Sequence, residues 1–516
     1  MAAWLAASDR ADGLWLVIGF AVAHAVLWTL ILINLKAAQD VHMDVAEAFA
    51  WGQKFQLGYG KHPPLAGWIA GLWFKLFPVT DWAAYALAMA TLGCGLVICW
   101  LVALRVVDRR RAFFVVVMLA LYPIFNFKGF KYNPDLLQLV TLPLLVLAYL
   151  HAFEKRSWRA GLWLGLAGAL ALMTKYWVLT MIGAIGMAAL IHPDRWLFLR
   201  SPAPWVAITT LLVAMIPHLV WLKDVNFVPL TYAGDVYGLS NRAQNVQLVF
   251  GYIGHNLALL AVPVALAAMA MAWTWRWWRM RQPLALFTRN WSGGVNSGVN
   301  RSQALNIWII QIVVAVGPPL GALIFMVYMK TDWGISLFFL TPLALVAIPA
   351  LRLPKMALFR ITAIWFVITW VTLVAAPKIA TLEMNANPNG SNGYSARSQL
   401  AHELTDEWHA RFHSRWAVVA GTTEIGEPLT FYSPDHPAPF TPGELWSSGL
   451  TSLEEAKRLG FIGVCDTSDG RLPICEAWMA TNAANGVHVE MTTQRFFQGH
   501  PGPATRWKVY LVPPAN

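Results

Sequence analysis

Charge is scarce in this chain. Only 13% of its 516 residues are Asp, Glu, Lys or Arg, against 57% hydrophobic, and the mean hydropathy is +0.50. A soluble domain carries roughly twice that share of charge, so the composition excludes an ordinary globular enzyme and indicates a polytopic membrane protein. Nucleotide-handling motifs are missing as well. There is no GxxxxGK(S/T) loop, no GxGxxG after a strand, no HExxH and no D-x-D pair. A cytoplasmic ATPase, a dinucleotide enzyme, a zincin and an ordinary nucleotide-sugar transferase therefore have no motif support. The first apolar run, Gly13 to Ile33, also lacks a small-residue cleavage site and reads as a retained span, not a signal peptide.

The net charge of +11 does not describe a nucleic-acid surface, because the basic residues fall in short clusters between apolar runs. These are Arg105 to Arg111, Lys155 to Arg159, Arg195 with Arg200, Arg276 to Arg301, and Arg352 to Arg360. Placing all of them in the cytoplasm satisfies the positive-inside rule with about eleven spans. The predicted spans are 13–33, 82–104, 112–127, 136–152, 160–174, 177–192, 204–222, 247–273, 305–328, 333–350 and 357–376. The architecture expected is mainly α: a transmembrane domain over 1–376 and an exported, periplasmic α/β domain over 377–516. In that tail RWAVVAG, FIGVCD, VHVEM and RWKVYLV read as strands, and TSLEEAKRLG as a helix capped by Thr451 or Ser452 and closed by Gly460. NANPNGSNGYS from Asn385 reads as the linker, and the Gly/Asn/Ser-rich stretch from Arg281 as a cytoplasmic loop. No internal repeat is found. Of four cysteines, Cys94 and Cys99 fall within a span, while Cys465 and Cys475 fall in the exported tail, where a disulfide is permitted but not required.

Against this apolar background, MDVAEAFAWGQKFQLGYGKHPPL (Met43 to Leu65) stands out. Val45, Ala48, Phe49, Gly52 and Phe55 make one helical stripe; Asp44, Glu47, Trp51 and Lys54 lie on the adjoining face. Such a helix suits the membrane surface, either as a plain amphipathic connector or as part of a site. Pro63-Pro64 then holds Lys61 and His62 near the same depth. Two more polar sites share this outer side: KGFKYNPDLL, with Lys128, Lys131, Asn133 and Asp135, and MTKYW, with Lys175 and Tyr176. Each has an ordinary explanation alone. Asn133-Pro134-Asp135 is a standard helix start, and Lys175 suits a helix end or an interface. Together they gather carboxylates and lysines on one membrane face, where ionisable groups are functional candidates. Transfer of a group from a lipid-linked phosphate needs this combination: lysines for the leaving phosphate and a carboxylate for the proton of an incoming hydroxyl.

These residues resemble the GT-C class of polytopic glycosyltransferases, in the bacterial, family 39-like branch related to dolichyl-phosphate-mannose protein mannosyltransferases. The first outer loop of that branch reads D-E-x-Y-Y, then G-Y-x-D-H-P-P-L, flanking an interfacial helix. Asp44, Gly58-Tyr59 and His62-Pro63-Pro64-Leu65 match it in register; YNPDLL, ALMTKYW and KTDWGISLFF are similar to later segments. The resemblance implies a GT-C fold with Asp44 as general base in an inverting displacement and Asp135 as the second acid. It also implies Lys61, His62 and Lys175 at the lipid phosphate, with Tyr59 and Lys131 beside them. Val45 replaces the usual second acid and Lys61 the usual Asp. Glu47, one turn on, is the substitute carboxylate, and a divalent metal at these acids stays open.

The expected partners are a polyprenyl-phosphate-linked sugar donor, the bilayer, and a periplasmic glycan, lipid or protein acceptor, with no nucleic acid. The setting expected is the bacterial inner membrane, with site and tail on the periplasmic side. The alternative is a flippase or transporter of lipid-linked sugars, which would distribute polar groups through the middle of its spans.

Overall fold

Among the described residues of the computed structural model, seven helices are long and apolar enough to cross a bilayer: Gly13–Leu35 (α1), Asp81–Val106 (α4), Pro134–Lys155 (α6), Pro202–Asp224 (α9), Arg242–Ala272 (α10), Arg301–Phe325 (α11) and Ala357–Asn385 (α12). The structure describes residues 13–236, 238–272, 298–386, 393–444 and 449–515. The cytoplasmic loop expected from Arg281 lies outside the described residues apart from its last four, as do 387–392 of the expected linker.

The count of eleven spans is not confirmed among the described residues. Expected span 112–127 is a broken one, in which Arg109–Ala120 (α5) and Pro123–Phe130 are bent by 78°; counted as one, the pair raises the total to eight among the described residues. The break falls at Pro123, which has no N–H for a helical bond. Expected spans 160–174, 177–192 and 333–350 are short helices: Trp158–Leu172 (α7), Tyr176–Ile191, whose α-helical part is Leu179–Ile191 (α8), and Thr331–Val346. The 15 residues of α7 rise only about 22 Å, less than the hydrocarbon core.

Several helix starts are written locally. Asp108 caps α5, Asn133 caps α6 and Ser157 caps α7, each side chain accepting a backbone N–H from the first turn. α4 and α6 are the most buried spans and pack on each other, with α1 against α4. Where α7 meets α9, Gly161 and Gly165 face the backbone of Ala203 and Ala207 so closely that neither has room for a Cβ. Small residues of this kind bring membrane helices together.

Between α1 and α4 run two further helices, Met43–Gly52 (α2) and Leu65–Leu76 (α3). α2 does not lie on the surface with one face in water. Residues 45 to 52 are buried, because Thr423–Tyr432 (α14) of the C-terminal domain covers the side turned away from the bundle. Phe49 meets Phe74 on α3 and Phe431 on α14 edge to face, at centroid distances of 5.3 and 5.5 Å.

The C-terminal domain carries a five-stranded sheet in the order β2-β1-β3-β5-β4. Its strands are Val418–Ala420, Ala438–Phe440, Phe461–Asp466, Val487–Phe497 and His500–Val512, numbered β1 to β5. β1 is parallel to β2 and β3, whereas β5 is antiparallel to β3 and β4. The helices are Arg397–Phe412 (α13), α14, Leu453–Leu459 (α15) and Leu472–Asn482 (α16). Ser452, not Thr451, caps α15, and Gly460 ends it with φ of 75°, a conformation that favours glycine. Cys465 and Cys475 form a disulfide joining β3 to α16.

The domain is pinned to the loop before α2 by Asp40. This buried carboxylate accepts from the Arg397 N–H at 2.7 Å and the Ser398 hydroxyl at 2.6 Å, and pairs with Arg495. α2 crosses α3 at two glycines, and a Cβ on Gly52 would fall 2.5 Å from the Gly71 nitrogen. Gly52→Ala should therefore separate α2 from α3 and destabilise the protein by about 1–3 kcal/mol, the usual cost of overpacking. Thermal unfolding in detergent reads this out, and an unchanged midpoint would contradict the close crossing.

Candidate active site

The first turn of α2 and the first turn of α6 meet at one end of the bundle, bringing Asp44 and Asp135 together with the lysines around them. Asp44 lies just inside α2, where a helix N-terminus favours an acid. Its carboxylate accepts from the Asn133 side-chain amide at 2.8 Å and stands 3.7 Å from Lys131 Nζ. Burial pushes its pKa up, but His42, Lys131, Asn133 and Lys61 more than offset this and leave the carboxyl well below the ordinary range. His42 Nδ1 already accepts the Asp44 N–H at 3.1 Å, and burial holds the imidazole below its usual pKa. The lasting positive partner of Asp44 is thus Lys131.

Asp135 is engaged differently. Both of its oxygens accept from Lys175 Nζ, at 2.7 and 2.8 Å, and Gln138 donates to one of them at 3.0 Å. Lys175 also faces the Trp333 ring at 5.4 Å.

Glu47 does not stand in for the missing second acid beside Asp44. It pairs with Lys61 at 2.6 Å, and both side chains are more than nine-tenths buried. Glu427 on α14 and Glu444 stand behind this pair. Burial pushes Glu47 and Glu444 up to about 7 and raises Glu427 well above the ordinary carboxylate range. Among the described residues the buried Glu427 Oε2 has no hydrogen-bond partner. Lys61 is opposed by its own burial, yet Glu47 and Tyr232 hold it charged.

Two cavities adjoin these groups. The larger, about 450 Å³, is lined by Lys61, His62, Lys175, Tyr176, Trp177, Tyr232, Tyr328 and Trp333, with Pro229 and Met326 among the apolar walls. The smaller, about 150 Å³, is polar and lined by Asp44, Lys128, Lys131, Asn133, Asp135, Lys330, Asp332 and Ser336. Trp333 borders both, and the Asp135–Lys175 pair lies between them.

Of the residues singled out from the sequence, Asp44, Asp135, Lys61, His62, Lys131 and Lys175 line these cavities. Lys131 faces the smaller one, with Asp44, not the lysines of the larger. His62 is a neutral group there, because burial and the nearby Lys175 and Lys61 hold its pKa far down. Tyr59 is not brought to either cavity. Its ring is stacked on Trp51 at 5.1 Å and its hydroxyl donates to the Lys54 carbonyl at 2.8 Å. Sequence reasoning missed Tyr232, Trp333, Lys330, Asp332 and the side-chain role of Asn133. Polar KTDW set before an apolar run was a signal for three of them; Tyr232 had none. Among the described residues no three His, Cys, Asp or Glu side chains are placed to hold a metal ion.

Comparison with known proteins adds to this geometry. Residues 61–221 match the family model for dolichyl-phosphate-mannose-protein mannosyltransferase. The chain is 25% identical to the lipid A galacturonosyltransferase RgtD of Rhizobium johnstonii over 248 residues, which is 46% of this chain and 48% of that protein. The match thus spans about half the length of that curated relative. The crystal structures of ArnT from Cupriavidus metallidurans, one bound to undecaprenyl phosphate and one in the apo state, share the fold. Each superposes with a TM-score of 0.59 at 14% identity, covering 97% of this chain and 98% of that one. The GT-C resemblance read from the sequence is borne out.

The acid cluster has a consequence for stability. A carboxyl whose pKa is raised on folding binds protons more tightly in the folded state, so its contribution is full below the unfolded value and lost as pH rises through the folded one. For Glu47 and Glu444 this window runs from 4.5 to about 7. Asp44, depressed instead, changes only below it. Thermal stability should therefore fall between pH 5 and pH 8, and fall less steeply in Glu427→Gln, which leaves the Lys61–Glu47 pair in place. An identical slope in both proteins would remove Glu427 from the cluster.

Proposed function

We propose that the chain is an inner-membrane glycosyltransferase that moves a sugar from a polyprenyl-phosphate donor to a hydroxyl on a periplasmic acceptor, with inversion at the anomeric carbon. The observation that carries this reading is the pair of adjoining cavities. One offers lysines within aromatic and apolar walls; the other offers an ionised, partly open carboxylate; the Asp135–Lys175 pair forms the wall between them.

On this reading the donor phosphate lies in the larger cavity, against Lys61 and Lys175, with His62 offering a neutral ring N–H. Pro229, Met326, Trp177 and Tyr328 suit the first isoprene units. The sugar reaches past Trp333 toward Asp44. An acceptor hydroxyl in the smaller cavity loses its proton to Asp44 as its oxygen bonds to the anomeric carbon. The bond from that carbon to the phosphate oxygen breaks, and the polyprenyl phosphate leaves with the electron pair. Lys175 is placed for the charge that develops, while Asp135 fixes its position. Such preorganised charge is commonly the largest part of the rate enhancement. Holding Asp44 ionised through Asn133 and Lys131 keeps it ready as a base, at some cost in its basicity.

The relative that acts on lipid A, and the solved structure with undecaprenyl phosphate bound, support an envelope lipid as acceptor and a polyprenyl phosphate as donor carrier. Retention would require a second carboxylate as nucleophile about 5 Å away; Val45 occupies the position of the family's second acid, and Glu47 is given to Lys61.

Transfer from a radiolabelled polyprenyl-phosphate sugar into the lipid fraction of membranes tests the assignment. Asp44→Asn should lower transfer by about 10²- to 10⁴-fold without loss of donor binding, whereas Lys175→Met should also raise KM for the donor. Normal turnover in Asp44→Asn would remove the base; donor that changes leaflet without being consumed would favour a transporter.

A further inference from the structure

At the opposite end of the bundle from these cavities, α4, α6 and α7 enclose a trough of about 900 Å³ that the transfer reaction does not use. Its walls are Leu101, Leu104, Leu144, Leu147, Leu166 and Leu170, with Ala148 and Ala167 at its floor and Trp163 along its rim. Arg105 and His151 are its polar lining. The size is that of a site for a substantial ligand. Along α6 the lining runs from Leu144 to His151, about 10 Å of helix, a large part of one leaflet.

The polar end is cationic. Arg105 lies in the last turn of α4, donates to Glu154 at 3.1 Å, and has its other terminal nitrogen 3.4 Å from His151 Nδ1. Glu154, the acid at this end, is shared with Lys155 at 3.3 Å. Arg156 and Arg159 follow within the next four residues of the chain. Glu154 is shared between Arg105 and Lys155, with Arg156 and Arg159 following in the chain, so cations outnumber this carboxylate at the end of α6. Trp158 and Trp163, both more than half exposed, mark the headgroup depth at which indoles collect.

We propose that this trough is a binding site for an anionic glycerophospholipid, whose acyl chain lies between α4, α6 and α7 and whose phosphate sits against Arg105 and His151. The apolar walls alone would accept any acyl chain. Excess positive charge at one end selects the headgroup, as basic pockets between membrane helices do for acidic lipids. The site is independent of the sugar-transfer reading, since it shares no residue with the two cavities at the other end.

Native mass spectrometry of the purified full-length protein, titrated with phosphatidylglycerol or with phosphatidylcholine of the same chains, tests the proposal. Wild type should retain one phosphatidylglycerol at least fivefold more strongly than phosphatidylcholine. Arg105→Gln should reduce that preference severalfold while leaving phosphatidylcholine binding unchanged. Ala148→Trp, which fills the trough and leaves the cations in place, should displace both lipids, and it serves as the second test if Arg105→Gln folds poorly. Equal retention of the two lipids by wild type would overturn the site, as would a preference that survives both substitutions.

Discussion

The hydrogen bond from the Asn133 amide to Asp44 is the joint on which the arrangement of the two acids depends. The same side chain accepts the Leu136 N–H through its oxygen and so fixes the first turn of α6, which carries Asp135. One residue thereby sets both carboxylates, one by capping its helix and one by direct contact. Each acid, partly open to the cavity, is also given a lysine: Lys131 for Asp44, Lys175 for Asp135. The two pairs are unlike. The first is long and the second a close two-pronged contact, which suits Asp44 for exchanging a proton and Asp135 for positioning a cation.

α2 carries two acids, Asp44 and Glu47, among apolar residues, so its own sequence accounts for one buried face and not for burial all round. It is buried because two bodies close over it. α3 approaches through glycine on one side, and α14 seats Phe431 on the other. Asp40 ties the start of the loop to Arg397, Ser398 and Arg495, and Tyr432 on α14 receives the Val41 N–H at 2.7 Å while donating to Asp81 at 2.8 Å. The C-terminal domain is thus part of the scaffold that excludes water from Glu47 and Lys61. Low dielectric around that pair strengthens their attraction and raises the pKa of Glu47, Glu427 and Glu444.

What the sequence made legible follows from how local its signals were. Helix starts at Asn133-Pro134-Asp135 and Ser452 depend on neighbouring residues, and they were read correctly. The outer-loop acids and lysines were found because charge is conspicuous in an apolar chain. Hydropathy, in contrast, cannot separate a crossing helix from a short one packed against its neighbours, so eleven apolar runs became seven long helices, a bent pair and shorter pieces. Tyr59 was misplaced because its matching motif says nothing of side-chain direction, which is set by the Trp51 ring beneath it. Glu427 was invisible, since 380 residues of intervening chain separate it from Glu47. Nothing local in GEPLT marks a carboxyl that will meet another acid.

The two departures from the family's loop pattern prove to be connected. Where Val45 removes an acid and Lys61 adds a cation, Glu47 supplies the counter-charge at 2.6 Å, so the exchange keeps the wall of the larger cavity balanced. A buried lysine without that partner would tend to lose its proton and could not attract a phosphate. With the partner it keeps its charge, but any arriving phosphate must compete with Glu47 for it. The burial of Glu47 eases that competition. Burial, more than the neighbouring Asp44 and Glu444, brings the proton affinity of Glu47 near neutrality, and α14 is part of what buries it. If the proposed donor binds there, the C-terminal domain contributes to its binding without touching it, by withdrawing Glu47 from water.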